Sequence, residues 1–360
     1  MNHRSTITRY LTRTFLIRVL SVLIALSALL QLLDLLDAAS TVLERGLGAG
    51  GLMHYTIIRL PMVVERIVPL AVLIGSLSTL WTFASTNEIV AMRSVGMTPY
   101  QIMGALLPAA LIVAIGHFLL ADQVAPRAER AFVTWWNETA LPDEGADDEP
   151  AKPVWFRLHG SIMRVASIAE DGRRFEGLEV VDRDAAGRAT ALMSAQSGEY
   201  VDRVWRLTGV VRTHIGDPVR VEHDDGMVWD VSLSPGNMVD LSKPMENISI
   251  HRLIRIVRGT WAGGESPAFY ATRLHSTYAA PLASLVMLLL AAPVAHGMRR
   301  RGGAMGSMAL GTVIGLVFLL SAGILGSMGQ AGVLPPLIAV WAPLLLFAAI
   351  GGAIMVYVEG

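Results

Sequence analysis

Six charged residues lie at the edges of the long apolar stretches of this 360-residue chain, where they could bind a charged ligand. They are Asp34, Asp37, Arg59, Glu65, Arg66 and Arg273. A charge inside a membrane costs about 2.5–3.5 kcal/mol on insertion scales unless it faces water, a partner or a headgroup. Because guanidinium groups bind phosphate in a forked geometry, the set favours contact with the polar head of an amphiphile. Snorkelling of each side chain to the membrane surface is the simpler alternative.

Motifs for catalysis or nucleotide binding are absent from the sequence. Lys152 and Lys243 are the only lysines and neither follows a glycine, which excludes a phosphate-binding loop of the GxxxxGK[ST] type. The chain has no HExxH or GxSxG motif, and with no cysteine it has no thiolate ligand or cysteine nucleophile. We therefore predict no catalytic residue, no metal site and no cofactor on this chain.

The polar stretch STNEIVAMRSVGMTPYQ, residues 85–101, contains two signals for the start of a helix. Two pairs fit the capping box, in which a hydroxyl residue is followed three positions later by Glu or Gln: Ser85 with Glu88, and Thr98 with Gln101. Gly96 is a natural helix end. The pattern predicts a short helix at about residues 86–96, between two apolar segments.

The apolar runs predict six transmembrane helices, each needing about 20 residues to cross the hydrocarbon core. The expected spans lie within residues 15–36, 67–87, 94–121 and 274–298, with two more in the uncharged run 302–358. The basic clusters Arg4–Arg18 and Arg299–Arg301 are separated by an even number of spans, so both would face the cytoplasm. Loop 85–101 is then also cytoplasmic, and the six charged residues lie on the opposite, non-cytoplasmic surface of the same membrane.

Between the third and fourth spans, the hydrophobic pattern changes to a period of two, from Pro153 to about Leu241. The turn-like segments DAAGR, GDP and DDG separate about eight expected short strands, which is typical of an antiparallel sandwich or roll. We expect Trp155, Trp205 and Trp229 in its core. An open edge of this sheet could accept a strand from a partner.

Four blocks of the chain match the recurring segments of one protein family: RYLTRTF at 9–15, PLAVLIGSLSTLWTFASTNEIVAMRSVGMT at 69–98, VAPRAE at 124–129 and PLASLVMLLLAAP at 281–293. They resemble the LptF/LptG permeases, a family that extracts lipopolysaccharide from the bacterial inner membrane. The resemblance covers nearly the whole chain, and STNEIVAMRSVGMT is more similar to the LptG branch than to the LptF branch. It implies an ABC-transporter permease, not an enzyme, which passes lipopolysaccharide to a periplasmic β-roll bridge toward the outer membrane.

The fold expected from the residues and the resemblance together is a polytopic α-helical membrane protein with six transmembrane helices and a periplasmic antiparallel β-jellyroll-like domain. Residues 1–121 would hold three spans and the short cytoplasmic helix, 122–265 the β-domain with its linkers, and 266–360 the last three spans. The resemblance places the chain in the bacterial inner membrane, and the basic clusters with the six expected spans place both termini in the cytoplasm.

The resemblance also assigns partners. The helix at 86–96 would dock into a groove of an LptB-type ATPase, with Glu88 at the position of the family's coupling acidic residue and Ile89, Met92 and Arg93 beside it. Two such ATPase subunits would bind ATP and Mg²⁺. The remaining partners would be an LptF-like paralogous permease, an LptC-type β-roll protein and lipopolysaccharide, with no nucleic acid.

One segment departs from the family. Some members place lysines near the outer end of the first span, where this chain has DLLDAASTVLER. Arg59, Arg66 and Arg273 would then contact lipid phosphate instead, or the bound glycolipid carries fewer phosphates.

Several alternatives stay open at this point. A sensor could detect a ligand with its outer domain and signal through loop 85–101. A lipid-modifying enzyme could use the outer acidic residues as catalytic groups. The chain could also be a macrolide- or lipoprotein-type permease, although those proteins typically have four spans and this chain has six expected spans. The short helix could also simply rest on lipid.

Overall fold

A computed structural model describes residues 3–141, 153–169, 171–184, 186–242, 247–292 and 303–359. Arg299–Arg301, on which the predicted orientation partly rests, lie outside these residues. The chain forms two compact units, Met1–Trp136 with Ala271–Gly360, and Asn137–Tyr270.

The helices follow the apolar runs and the polar linkers of the sequence. In chain order they are α1 (His3–Glu44), α2 (Gly48–Ser85), α3 (Glu88–Ser94), α4 (Pro99–Leu119), a π-helical turn (Leu120–Val124), α5 (Ala125–Glu138), α6 (Pro235–Ser242), α7 (Ile250–Val257), α8 (Pro267–Leu290), α9 (Gly303–Gln330) and α10 (Pro336–Glu359).

Four helical segments within the described ranges are long and apolar enough to cross a membrane. They are Thr6–Glu44, Pro99–Glu138, Met308–Gln330 and Pro336–Val356. The two other predicted spans fall on α2 and α8. The helical architecture is therefore confirmed with four candidate spans, and the count of six stays a prediction.

The first unit is held together by one apolar core. Leu11, Phe15 and Val19 recur every four residues on α1 and are almost fully buried, as expected for one face of a helix packed against neighbours. α1 packs on α2 and α4, and α9 packs on α2 and α10. Gly311 and Gly315, whose spacing allows close helix contact, lie against leucine side chains of α2 in the same chain.

The first predicted capping box does not form, and α3 starts at Glu88. The hydroxyl groups of Ser85 and Thr86 bond back to the carbonyl oxygen of Thr82, at 3.0 and 2.9 Å, because α2 continues to Ser85. Asn87 then adopts a left-handed conformation, with φ 59°, and its side chain makes no capping bond.

The second predicted capping box is confirmed. The N–H of Gln101 donates to Oγ1 of Thr98, and the N–H of Thr98 donates to Oε1 of Gln101, both at 3.3 Å. Gly96 ends α3 as predicted, with φ +86°. The N–H groups of Gly96 and Met97 bond to carbonyl oxygens inside α3, which is the usual glycine-ended cap.

The second unit contains a six-stranded antiparallel sheet in which every strand pairs with its neighbour in sequence. Its strands are β1 (Val154–Leu158), β2 (Ser161–Ile168), β3 (Arg174–Arg183), β4 (Ala189–Val201), β5 (Val204–His214) and β6 (Arg220–Trp229). The antiparallel sheet is confirmed, and its jellyroll-like form stays a prediction. The expected number of about eight strands is wrong for the described residues, because the chain after Trp229 forms α6 instead of further strands.

The segment DDG, expected as a turn, lies inside β6. The pairing of Thr208 with Gly226 and of Val210 with Asp224 leaves Asp225 opposite Gly209, which has φ 62°. The register between β5 and β6 is unbroken on both sides of this point, so the strand continues through residues that usually form turns.

The core of the sheet is built from alternate side chains. Trp205 is fully buried and its indole N–H donates to the carbonyl oxygen of Leu233 at 2.7 Å. Trp229 is half-buried and packs against this core. The prediction is wrong for Trp155, which is 53% exposed on the edge strand β1.

The two edges of the sheet differ. On β1, Arg157 exchanges backbone hydrogen bonds with Gly263 at 3.0 and 3.3 Å. In the described part of the sheet, β6 pairs on one side only, with β5.

Candidate functional site

Two of the six predicted ligand-binding residues bind each other. The guanidinium group of Arg59 on α2 donates to both carboxylate oxygens of Asp34 on α1, at 2.6 and 3.0 Å. The hydroxyl of Tyr55 donates to the same carboxylate at 3.0 Å. Because both charged side chains are about three-quarters buried, at 28% and 24% exposed, this forked pair joins the two helices more firmly than a surface ion pair would.

Aromatic rings surround this ion pair. The Arg59 guanidinium lies 4.9 Å from the ring centre of Phe132 on α5, and Phe132 contacts Tyr55 edge to face. Near the end of α1, Arg45 lies 4.0 Å from the ring centre of Trp136 and donates to its carbonyl oxygen at 2.6 Å. Cation–π contacts thus hold α5 beside the α1–α2 pair.

The other four residues of the predicted set are spread over three helices. Arg66 is exposed and close enough to Asp34 to interact with it electrostatically. Asp37 is also exposed and interacts electrostatically with Tyr55. Glu65 on α2 and Arg273 on α8 are half-buried, and each has interactions of its own. Their contact with a ligand stays a prediction.

The four predicted coupling residues on α3 divide between two faces. Ile89 and Met92 are 5% and 9% exposed and belong to the core of the first unit. Arg93 is exposed and Glu88 is half-buried, with its carboxylate 3.0 Å from the Thr86 hydroxyl. The buried pair fixes α3 on the helices below it, so only the other face can contact a partner directly.

The exposed face of α3 has an apolar component that the sequence reasoning did not single out. Val90 is 54% exposed and Val95, just after the helix, is 73% exposed. Because Ile89 and Met92 are buried three positions apart, the helix turns Val90 outward, but which positions are buried is known only from the structure.

Sequence reasoning also missed the aromatic residues around Arg59 and the contacts of Arg18. Tyr55, Phe132 and Trp136 carry no motif. Arg18 served only as one of the basic residues that orient the chain, yet its Nη1 lies within hydrogen-bond distance of three oxygens of Ser78 and Thr82 on α2. Its signal was a cation placed inside the apolar run 15–36.

Neither candidate region resembles a metal centre. Among the residues that the structure describes, no group of three or more His, Asp or Glu side chains could hold a metal ion.

Comparison with known proteins identifies the family. The family model for the lipopolysaccharide export system permease LptF/LptG matches residues 9–357. The chain is similar to the lipopolysaccharide export system permease protein LptG of Escherichia coli strain K12, with 22% identity over 301 residues, 82% of each chain. It is 23% identical over 296 residues to the protein of the same name from Haemophilus influenzae, covering 81% of this chain and 82% of that protein. Because the match spans nearly its whole length, the chain belongs to the LptF/LptG family of lipopolysaccharide export permeases.

Proposed function

We propose that this chain is a permease subunit of an ABC transporter that extracts lipopolysaccharide from the inner membrane. The observation that carries this proposal is the family match over residues 9–357. As a member of this family, the chain is a transporter subunit and not an enzyme. The sequence has no nucleotide-binding loop, so the energy for extraction must come from a partner that binds ATP and Mg²⁺.

The element that receives this energy is α3. Glu88 and Arg93 of α3, the exposed Val90 and, just after the helix, Val95 give its surface both opposite charges and apolar side chains. Such a surface suits a groove in an LptB-type ATPase, because apolar contact supplies affinity and charge fixes orientation. Ile89 and Met92 act indirectly, by anchoring α3 in the core of the first unit.

The full transporter contains this chain, an LptF-like paralogue and two LptB-type ATPase subunits. The chain crosses the inner membrane six times, with α2 and α8 as the spans beyond the four candidates. Both termini and α3 then lie in the cytoplasm and the sheet lies in the periplasm. This arrangement follows from the basic N-terminus and the family membership.

The periplasmic sheet takes part in a jellyroll-like domain that passes lipid to an LptC-type β-roll. β6 is the edge available for pairing, since β1 is bonded to Gly263. A photoreactive residue at Val228 on β6 should cross-link to the β-roll protein, and one at Trp155 on β1 should not. Cross-linking at Trp155 alone would contradict this assignment.

The lipid headgroup binds near the six charged residues, with its phosphate close to Arg66 and Arg273. Arg59 is already paired with Asp34, so a phosphate can reach it only by displacing a carboxylate. A substrate that does so would break the link between α1 and α2 at this level, and the pair would reform after release. Asp37 and Glu65 would contact hydroxyl or amino groups of the head.

The test of the proposed function is copurification of the tagged chain with its partners, followed by identification of the bound lipid. Glu88→Ala should weaken ATPase binding or lipid export and leave membrane insertion intact. Glu44→Ala is the matched control, because Glu44 is an exposed acidic residue at the far end of α1. Purification without any ATPase, or product formation by the chain alone without ATP, would overturn the proposal.

A further inference from the structure

Arg18 connects α1 to the end of α2 that leads into α3. Its Nη1 atom donates to the carbonyl oxygen of Ser78 at 2.8 Å and to Oγ1 of Thr82 at 2.6 Å, with Oγ of Ser78 at 3.1 Å. Ser78 and Thr82 lie one turn apart in the last two turns of α2. A guanidinium group inside an apolar run must find such partners or reach the headgroups, because leaving it unsatisfied costs several kcal/mol.

The hydrogen bonds continue from Thr82 to α3. The N–H of Thr86 donates to the carbonyl oxygen of Thr82 at 2.9 Å. The hydroxyl of Thr86 lies 2.9 Å from that same oxygen and 3.0 Å from Oε1 of Glu88, so it can donate to either. A continuous set of polar contacts therefore joins Glu88 on α3, through Thr86 in the connection and Thr82 on α2, to Arg18 on α1.

The connection between α2 and α3 allows little independent movement of the two helices. Thr86 and Asn87 are the only residues between the two helices, and their N–H groups bond to carbonyl oxygens of α2. Ile89 and Met92 pack into the same core as Leu80 and Phe83 of α2. A displacement of α3 must therefore move the end of α2 with it.

The Arg59–Asp34 pair joins α1 and α2 near the other end of α1, whereas the buried residues of α1 around Arg18 are apolar. Leu11, Phe15 and Val19 are buried at this level, but apolar contact is non-directional and allows one helix to slide on another. Hydrogen bonds depend steeply on distance and angle, so those of Arg18 fix the register of the two helices.

We propose that Arg18 is a positioning residue that transmits the displacement of α3 to α1. When a partner moves α3, the end of α2 moves with it, and Arg18 pulls α1 along as part of one rigid pair. This role rests on the proposed function, because it requires α3 to be the element that the ATPase moves. A snorkelling arginine would need none of the acceptors on α2.

The experiment uses the purified complex of the full chain with its paralogue and ATPase, in nanodiscs that contain lipopolysaccharide. ATP hydrolysis and lipopolysaccharide release are measured in parallel, and their ratio gives the coupling. The variants are Arg18→Met, which keeps the length and removes the donors, Arg18→Lys, which keeps a cation with three donors, and Thr82→Val, which removes one acceptor. Arg13→Met is the matched control, because Arg13 is an exposed arginine of the same helix.

Arg18→Met should lower the release per ATP by about five-fold or more, with assembly and hydrolysis retained. Arg18→Lys should restore most of the coupling, Thr82→Val should lose part of it, and Arg13→Met should match the parent. Thr82→Val also covers the case in which Arg18→Met fails to assemble, since it leaves the charge in place.

Three results would overturn the role of Arg18: an unchanged ratio in both Arg18→Met and Thr82→Val, an equal loss of hydrolysis and release, or no rescue by Arg18→Lys. Two other results would instead contradict the proposed function on which this role rests. They are failure of the parent chain to bind the ATPase, and full ATPase binding and export in Glu88→Ala.

Discussion

At the scale of single residues, the Arg59–Asp34 pair provides the clearest test of the first unit. Arg59→Gln should destabilise it by about 1–3 kcal/mol, because the loss of a charge-assisted bond leaves a carboxylate three-quarters buried with only Tyr55 as its donor. The measurement is the thermal unfolding midpoint of the purified chain in detergent.

The control for this prediction is Asp37→Asn. Asp37 lies one turn along α1 and is exposed, so its replacement should change stability by no more than about 0.5 kcal/mol. The double variant Asp34→Asn with Arg59→Gln should cost less than the sum of the two single changes. Equal midpoints for Arg59→Gln and Asp37→Asn would show that the ion pair does not stabilise the unit.

The sequence singled out the charged residues but not their partners, and their binding of a ligand stays a prediction. The charged set stood out because each member interrupts or borders an apolar run. That Asp34 binds Arg59 depends on the rotation and register of α1 against α2, which periodicity does not determine. The same limit explains why the Ser85 capping box failed: its hydroxyl had a competing acceptor, the Thr82 carbonyl, in the helix before it.

At the scale of elements, Gly96 decides where α3 ends. Gly96→Ala should destabilise the α3 cap by about 1 kcal/mol, since φ +86° is a conformation that a residue with a Cβ adopts at a cost. The cost is purely conformational, because an added Cβ would meet no atom within 4 Å. Hydrogen exchange of the α3 amides measures it and should be faster in the variant.

Gly104→Ala is the matched control for Gly96. Gly104 lies inside α4 in a helical conformation, and a Cβ added there would also meet nothing within 4 Å. Alanine should therefore leave stability unchanged or raise it slightly. If the α3 amides lose the same protection from exchange in both variants, the left-handed conformation of Gly96 is not the cause of the loss.

Elements were predictable wherever one periodicity runs for many residues. The helices α4, α9 and α10 follow uncharged apolar runs, α1 follows a long apolar run that Arg18 and Asp34 interrupt, and β4 and β5 follow alternation. The exceptions are short and depend on tertiary structure. DDG joined β6 because pairing with β5 outweighed its local preference for a turn, and Trp155 fell on an exposed edge because nothing in its own segment specifies which strand lies outside.

At the scale of the whole molecule, the orientation of the chain is the prediction on which the coupling proposal depends. The absence of cysteine makes it directly testable, because any introduced thiol is unique. Val95, beside α3, and Val219, between β5 and β6, are valines that are 73% and 61% exposed. One candidate span, Pro99–Glu138, separates them, so the two positions should lie on opposite sides whatever the total number of spans.

In cells stripped of their outer membrane, a membrane-impermeant maleimide should label the Val219→Cys variant at once. The Val95→Cys variant should react only after the inner membrane is permeabilised. Because both side chains are highly exposed, slow labelling cannot be assigned to burial within the chain. Labelling of Val95→Cys before the inner membrane is permeabilised would place α3 outside, where no ATP-driven partner could bind it. Equal labelling of both variants would mean that α4 does not cross the membrane.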